Sequence, residues 1–265
     1  MNKVMFGIRC YKNITQLLCH KLHIVSESTD HQIIIQKCLD QASLEPTIIS
    51  FLNAHAFNLA VNDQLFLDSL SSSTWLFRDG VGISLLCRTL GIAPGKNMNG
   101  TDFIPQLLER AIQQKREIIL LGTESPWLEN AKKTLECKGG NVCFIFDGFQ
   151  PNEFYINKIN WRKFQRPIVV LAMGMPKQEK IANELVKHLP NGLILNAGAI
   201  LDFLGGKVSR APLILRKLRL EWLYRFLQEP VRLFGRYIIG NFVFLARIPK
   251  LLIVKSSMKD DILSQ

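Results

Sequence analysis

The chain has 265 residues, 48% of them hydrophobic, which is ample for one large folded core and argues against a disordered chain. Its six cysteines form no Cys-x-x-Cys pair and its five histidines form no His-Glu-x-x-His motif, so we expect a reduced protein without structural disulfides or a zinc site. The net charge of +11 directs attention to anionic partners.

Residues 1–45 give weak signals apart from a helix predicted from about Asp30 to Ala42, and we interpret them as an N-terminal helical cap. The start of the chain has no basic region followed by a long apolar core, so it does not resemble a signal peptide. We therefore expect a cytoplasmic protein.

From Thr47 onward, short apolar runs alternate with amphipathic helical patterns. Strands are predicted at residues 47–52, 74–77, 117–121, 141–146, 168–172 and 192–196, and helices at 54–70, 80–90, 103–115 and 177–188. The alternation predicts an α/β, Rossmann-like domain over residues 46–205, with a mainly parallel sheet of about six strands covered by helices on both faces. Thr101 or Asp102 is expected to cap the helix that begins at Phe103.

One stretch, Leu76–Ile83, combines an apolar strand, a carboxylate between Arg78 and Gly80, and the start of a helix. In a parallel sheet ligands collect at the carboxyl ends of strands, which is where Asp79 and Gly80 would lie. An aspartate there can take a proton from an attacking hydroxyl group. The alternative is an Asx turn that only joins strand to helix.

Polar residues and glycines also follow the other predicted strands, and in a parallel sheet all of them would share one edge. They are Asn53, Asp79, Gly122-Thr123, Asp147-Gly148, Gly174–Gln178 and Asn196-Ala197-Gly198. Such an edge can bind a nucleotide through backbone N–H groups and helix N-termini. The first strand–helix turn carries no Gly-x-Gly-x-x-Gly, and the chain has no GxxxxGK[ST], which argues against a dinucleotide-dependent dehydrogenase and a P-loop NTPase.

The segment Gly174–Glu179 is the most informative of these turns. Gly174 allows close approach of the backbone, a proline begins a helix, and Lys177 and Gln178 fall in its first turn. These groups could contact a sugar hydroxyl or a diphosphate. The alternative is that Lys177 and Glu179 are solvated and that Gln178 only caps the helix.

After Gly206 the pattern changes to basic amphipathic helices without a further strand, and we treat residues 206–265 as an appendage. Between Lys207 and Lys255 there are eleven Lys and Arg against two acids, so nine of the eleven net positive charges lie there. An anionic membrane surface suits this composition, whereas no nucleic-acid-binding module is recognisable. The most apolar tract, Tyr237–Ala246, is too short to span a bilayer.

Several separated motifs, in order, resemble the WecG/TagA/CpsF glycosyltransferases (glycosyltransferase family 26) over roughly residues 45–240. The motifs are Asn53-Ala54, Arg78-Asp79-Gly80-Val81-Gly82, Gly100-Thr101-Asp102, Gly174-Met175-Pro176-Lys177-Gln178-Glu179, Asn196-Ala197-Gly198-Ala199, Asp202-Phe203, Gly205-Gly206-Lys207, Arg210-Ala211-Pro212, Glu221-Trp222-Leu223-Tyr224-Arg225, Glu229-Pro230, Arg232 and Arg236-Tyr237.

The resemblance implies a metal-independent, inverting transferase without a cofactor. Such enzymes move an N-acetylmannosamine-type sugar from a UDP donor to a polyprenyl-diphosphate-linked N-acetylglucosamine in polysaccharide synthesis. It also implies that Asp79 is the general base and that Gln178 and Asn53 contact substrate. The chain departs from the family at Phe51, where threonine is usual, and at Asn97, where arginine is usual. Lys96 is the candidate replacement for that arginine on the donor phosphates.

The residues themselves give a compatible picture. Sugar transfer by single displacement needs a base for the acceptor hydroxyl and positive charge for the departing diphosphate. With no acidic Asp-x-Asp pair near a strand end, arginines must supply that charge. Arg225, Arg232 and Arg236 would share one helical face if the helix continues past Pro230, although a solvated or lipid-facing surface is the alternative. The neighbouring aromatic residues suit packing or a membrane interface better than sugar stacking.

A second hypothesis from another class is a non-catalytic, nucleotide-sugar-binding module that regulates a membrane assembly. For the enzyme we expect peripheral attachment to the inner face of the cytoplasmic membrane and no nucleic-acid partner. The donor sugar stays open between N-acetylmannosamine, its uronic acid and another hexose. The oligomeric state stays open as well, a homo-oligomer included.

Overall fold

The computed structural model describes residues 10–218 and 220–263. Its seven strands are β1 Leu22–His23, β2 Pro46–Leu52, β3 Trp75–Arg78, β4 Glu117–Gly122, β5 Asn141–Phe146, β6 Ile168–Ala172 and β7 Gly192–Asn196. All neighbouring strands are parallel, and they form one sheet in the order β1-β3-β2-β7-β6-β4-β5. The predicted Rossmann-like α/β class is therefore confirmed.

The six predicted strands are all present, and the structure adds a seventh at the edge. Leu22 pairs with Leu76, and His23 pairs with Phe77. A strand of two residues is too short to leave a period-2 pattern, so sequence reasoning missed it. The N-terminal part thus extends the sheet, in addition to providing the predicted helix.

Helices surround the sheet and also form the C-terminal appendage. They are α1 at residues 10–16, α2 His31–Leu44, α3 Ala54–Asn62, α4 Gln64–Ser71, α5 Val81–Thr89, α6 Gly100–Gln113, α7 Trp127–Glu136, α8 Asn152–Lys158, α9 Lys177–Leu185, α10 Ile200–Gly205, α11 Leu213–Lys217, α12 Glu221–Gln228, α13 Pro230–Phe234 and α14 Gly240–Leu263. Two π-helical turns, Leu17–Lys21 and Gly235–Ile239, and one 3₁₀ turn, Trp161–Lys163, complete them.

Side-chain caps changed two helix boundaries from the prediction. The single helix expected over residues 54–70 is two helices, because Asp63 is extended and its carboxylate accepts from the Phe66 N–H at 3.0 Å. The cap of α6 is Asn99, whose side chain accepts from the Asp102 N–H at 2.8 Å. The prediction of Thr101 or Asp102 as that cap was wrong by a few residues.

The two faces of the sheet carry different helices. Helices α2, α6, α7 and α10 cover one face, while α3, α4 and α5 cover one half of the other face and α8 and α9 cover its second half. The chain leaves β2 and β7, which are neighbours, toward opposite faces of the sheet. Such a divergence opens a crevice at the carboxyl ends of the strands, here between Asn53 and Gly198.

The appendage lies against α3 and α5, which are the helices that follow Asn53 and Gly80. Phe244 of α14 is buried against Phe57, with ring centroids 5.2 Å apart, and Arg247 donates to the Asn58 carbonyl at 2.8 Å. The segment Pro230–Ser256 has 27 residues, and an 18-residue stretch within it has a mean hydropathy of 1.7, enough by length and composition to cross a membrane. The expectation that the apolar tract is too short therefore needs correction, although one face of this helix packs on the domain.

Candidate active site at the carboxyl end of the sheet

The Asp79 turn is held from two sides by backbone contacts. The Asp79 N–H donates to the Leu52 carbonyl at 2.8 Å, which ties the end of β3 to the end of β2. The next residue, Gly80, has φ +91°, a conformation that glycine adopts without strain, and its N–H donates to Asn97 Oδ1 at 2.8 Å. The turn thus projects Asp79 from the sheet edge, and Asn97 supports it.

Arg78 is buried and fixes the loop that carries Asn97. Its guanidinium donates to the Pro94 carbonyl at 2.9 Å and to the Gly95 carbonyl at 2.6 Å. It also donates to Asn97 Oδ1 at 3.3 Å. The arginine next to the catalytic candidate therefore has a structural task in this protein.

The Asp79 carboxyl group lies in a strongly polarised site. Burial raises its pKa to about 6, while the positive charge of Arg236 and a hydrogen bond from the Asn53 side chain act in the opposite direction. Glu221 raises this pKa further and Arg225 lowers it. A carboxylate with a pKa near 6 is ionised at neutral pH and basic enough to accept a proton, so the geometry suits general-base chemistry.

Asn53 orients this carboxyl group. Its Oδ1 accepts from the Ala56 N–H at 3.0 Å as the cap of α3, which leaves its amide nitrogen for Asp79. His55 follows in the first turn of the same helix, and burial together with Arg236 lowers its pKa to about 4. Sequence reasoning missed His55, although the first turn after an edge residue faces the site.

Two arginines of the appendage reach the sheet edge with unsatisfied donors. The Nε–H groups of Arg225 and Arg236 are buried and have no hydrogen-bond partner within residues 10–218 and 220–263. Arg225 lies over the Phe203 ring at 5.3 Å, and Arg236 is carried by the π-helical turn. Buried N–H groups without partners are costly unless a ligand satisfies them, and phosphate oxygens do so well.

The helix that would align all three arginines does not continue. The chain is interrupted at Glu229, with φ −135° and ψ 61°, between α12 and α13. Arg232 is exposed and forms an ion pair with Glu229. The structure therefore brings Arg225 and Arg236 toward Asp79 but turns Arg232 to another partner.

Gln178 lies inside the protein rather than in the crevice. Its side chain is fully buried, its Oε1 accepts from the Gly198 N–H at 3.1 Å, and its Nε2 donates to Glu179 at 2.8 Å. Both ends of the amide are thus engaged within the protein. A substrate contact by Gln178 stays a prediction, and its observed task is to join the turns after β6 and β7.

Two lysines predicted to bind substrate contact backbone carbonyls instead. The Lys177 ammonium donates to Gly148 at 2.8 Å and to Gln150 at 2.6 Å, which fixes the loop after β5. The Lys96 ammonium donates to the Thr29 carbonyl at 2.6 Å. Neither ammonium group points to a free ligand site in this arrangement.

The Gly122-Thr123 turn joins three strand ends. A Cβ at Gly122 would lie 2.3 Å from the Ala172 carbonyl oxygen, so only glycine allows β4 and β6 to run this close. The Thr123 hydroxyl donates to Asp202 at 2.5 Å, and its N–H donates to Ala172 at 3.2 Å. The turn is built into the edge and connects it to α10.

Two positions singled out in the sequence lie below the edge of the sheet. Asn196 is buried and its Nδ2 donates to Ser50 at 2.8 Å. Phe51, the residue in place of the usual family threonine, packs in the core with ring centroids 6.1 Å from Phe77 and 6.3 Å from Phe103. Neither side chain reaches the crevice.

The crevice itself is open along the backbone. At Gly80, Gly174 and Gly198 an added Cβ would meet no atom of the described residues within 4 Å. A ligand can therefore approach the backbone of the turns that follow β3, β6 and β7.

Asp102 attaches the appendage to the domain. It forms ion pairs with Arg210 and, at 3.6 Å, with Arg216, and Arg210 also lies 3.9 Å from Glu221. The hydrogen bonds from Asn99 and Arg210 lower the pKa of Asp102 although burial opposes them. The motif around Asp102 therefore has a role that its sequence did not reveal.

Comparisons with known proteins identify the family of this chain. The model of the family described as glycosyl transferase WecG/TagA/CpsF matches residues 20–257. The chain is also 27% identical over 187 residues to an N-acetylglucosaminyldiphosphoundecaprenol N-acetyl-beta-D-mannosaminyltransferase of Bacillus subtilis (strain 168), covering 70% of this chain and 73% of that protein. Because the family match spans most of the sequence, including every strand, this protein belongs to the WecG/TagA/CpsF family of glycosyl transferases.

Proposed function

We propose that this enzyme transfers an N-acetylmannosamine-type sugar from a UDP donor to N-acetylglucosamine carried on a polyprenyl diphosphate. The name of the Bacillus subtilis relative supports the sugar and the acceptor. The open crevice at the strand ends supports a nucleotide donor, since backbone N–H groups there can meet phosphates. The product would serve the synthesis of a cell-surface polysaccharide.

The observation that carries the proposal is one carboxyl group beside two arginines. Asp79 has a pKa raised to about 6, and the charges of Arg225 and Arg236 both act on it. In our proposal Asp79 takes the proton of the acceptor hydroxyl as its oxygen attacks the anomeric carbon of the donor sugar. The bond to the diphosphate breaks with inversion, and the unpartnered Nε–H groups of Arg225 and Arg236 neutralise the leaving charge.

A direct transfer assay tests this function. The full chain is incubated with radiolabelled UDP-N-acetylmannosamine and a short-chain polyprenyl diphosphate carrying N-acetylglucosamine, and the labelled lipid is extracted and counted. We expect transfer that depends on the N-acetylglucosamine unit, with UDP released in equal amount. UDP-N-acetylmannosaminuronic acid and UDP-glucose serve as competing donors. A chain that binds UDP-sugars, as measured by a raised melting temperature, but transfers none of them would be the regulatory module instead.

We further propose that the appendage lies on an anionic membrane surface. Its outward side carries apolar side chains, among them Val231 at 94% exposure, Phe242 at 73% and Leu227 at 70%. Exposed apolar residues in a basic segment are typical of helices that lie in the membrane interface. The opposite side of α14 packs on α3, which favours lying along the surface over crossing it.

The double variant Val231→Glu and Phe242→Glu tests this attachment. Both side chains are largely exposed, so the fold should hold while the apolar surface gains two negative charges. We expect wild type to sediment with phosphatidylglycerol vesicles and the double variant to lose at least about tenfold in vesicle affinity. Leu44→Glu, an 84% exposed position in the N-terminal part, is the control and should sediment like wild type. Equal sedimentation of all three proteins would contradict the proposal.

A further inference from the structure

Glu179 is a buried carboxyl group that the proposed reaction does not use. Only 1% of the residue is exposed, and one carboxyl oxygen accepts from Gln178 at 2.8 Å. The other oxygen is buried and has no hydrogen-bond partner in the described part of the chain. Burying a carboxylate without a direct counter-ion lowers the stability of the fold. Such a group is therefore expected at positions where it has a function.

The charged side chain that acts on Glu179 comes from the appendage. Arg236 attracts it, while burial raises its pKa to about 7. The same arginine acts on Asp79, and its own Nε–H lacks a partner. Arg236 thus lies in the field of two carboxyl groups from two different turns, one after β3 and one after β6.

The other described elements packed against α9 provide no positive charge that pairs with the Glu179 carboxylate. Strands β2, β6 and β7 carry no titratable side chain. Lys180, the next residue, is bridged to Asp63 at 2.7 Å, at the start of α4. The remaining titratable groups of the helices packed on α9 are Asp68, Glu153, Tyr155 and Lys158. Among the residues that the structure describes, Arg236 is the only charged group that influences the pKa of Glu179.

The chain contains an internal comparison for this position. Strands β4 and β6 pair so that each residue lies beside the residue 50 positions later, as Gly122 beside Ala172. Continuing that 50-residue offset along the sequence makes Glu129 of α7 the equivalent of Glu179 of α9, on the other face of the sheet. Glu129 also has a buried, unpartnered oxygen, but leucine precedes it in place of Gln178.

We propose that Glu179 is a positioning residue for sugar transfer. Its first oxygen fixes the Gln178 amide, which in turn holds the turn at Gly198, and its charge, together with that of Asp79, holds Arg236 over the crevice. Glu179 thereby links the appendage to the catalytic edge. The inference rests on the proposed function for its kinetic test, but a second readout does not.

A double-mutant cycle between Glu179 and Arg236 tests the proposal. We expect E179Q to lower kcat about tenfold with the donor KM unchanged, because glutamine keeps an acceptor for Gln178 and loses the charge. In the R236Q background the same change should lower kcat less than about twofold, since the charge it positions is already gone. E129Q should stay within about twofold of wild type. Additive effects, or an equal loss in E129Q, would assign the result to general stability or to helix-terminal charge.

The second readout is the melting temperature without substrate. A glutamate with a raised pKa destabilises the fold as pH rises from its usual value of 4.5 to about 7, because the folded protein holds the proton more tightly. We therefore expect the melting temperature of E179Q minus that of wild type to be about 5 °C larger at pH 8 than at pH 5. If wild type transfers no sugar, the proposed function fails, yet this shift still tests Glu179. If E179Q does not fold, E179M takes its place in the kinetic cycle, because methionine also removes the charge and has a side chain of similar size. An E179Q protein with normal kcat or an unchanged melting difference overturns the inference.

Discussion

Replacing Asp79 by asparagine is expected to lower kcat by about 10³-fold, the range typical of losing a general base. The amide has the same shape and can still accept a hydrogen bond from Asn53, but it takes no proton from the acceptor hydroxyl. Because the pKa of Asp79 is raised from 3.8, the ionised form costs stability above about pH 6, and the variant should melt at or above the wild-type temperature. Single-turnover transfer and a thermal melt measure the two effects.

Asp147→Asn is the matched control for this variant. Asp147 follows β5 on the same edge, and its Oδ1 accepts from the Phe149 N–H at 2.8 Å, which asparagine preserves. We expect its kcat within about threefold of wild type. A D79N protein that turns over at a near-normal rate would remove Asp79 from the chemistry.

The wild-type pH profile follows from the same group. The base is active when deprotonated, so kcat/KM should fall below about pH 6 with a slope of one and stay level above it. An acid limb near pH 4, the range of an ordinary aspartate, would contradict the buried, polarised site described here.

Replacing Arg236 by glutamine is expected to lower kcat about 10²-fold, the second-largest effect, because the leaving diphosphate loses one of its two unpartnered donors. The acid limb of kcat/KM should also move to higher pH, since Arg236 is the strongest influence that lowers the pKa of Asp79. Initial rates measured between pH 5 and 9 give both quantities from one set of experiments.

Two further variants sharpen the Arg236 result. Arg236→Lys keeps the charge but not the planar fork, so the acid limb should return while kcat recovers only in part. Arg110→Gln, on the outer side of α6 where its side chain bonds Gln36 and Gln113, should leave the limb and kcat unchanged. If R236Q leaves the limb in place, Arg236 does not act on Asp79.

Much of the fold could be predicted because its signals are local. Apolar runs such as Ile168–Ala172 and Gly192–Asn196 are buried on both faces, and strands of this kind stand out in a sequence. Errors arose where a single side chain set a boundary, as at Asp63, or where an element was very short, as at Leu22–His23.

The candidate site likewise contains residues that the sequence could predict and residues that it could not. Asp79 and Asn53 could be placed together from the sequence because the carboxyl ends of parallel strands meet at one edge. Gln178 and Lys177 were expected to face substrate, but the structure engages both within the protein. The role of Glu179 could not be read from its motif, since its burial depends on everything packed around α9.

By itself the sequence determined the parallel sheet, the edge on which polar residues collect, and the family, since periodicity and ordered motifs are written along the chain. Only the tertiary structure decided which charges act on Asp79. Arg236 reaches it because Asn58 donates to the Gly240 carbonyl at 2.6 Å and Phe244 packs on Phe57. These contacts join residues more than 180 positions apart. No local pattern encodes such a contact, because it depends on the packing of surfaces that exist only after both parts of the chain have folded.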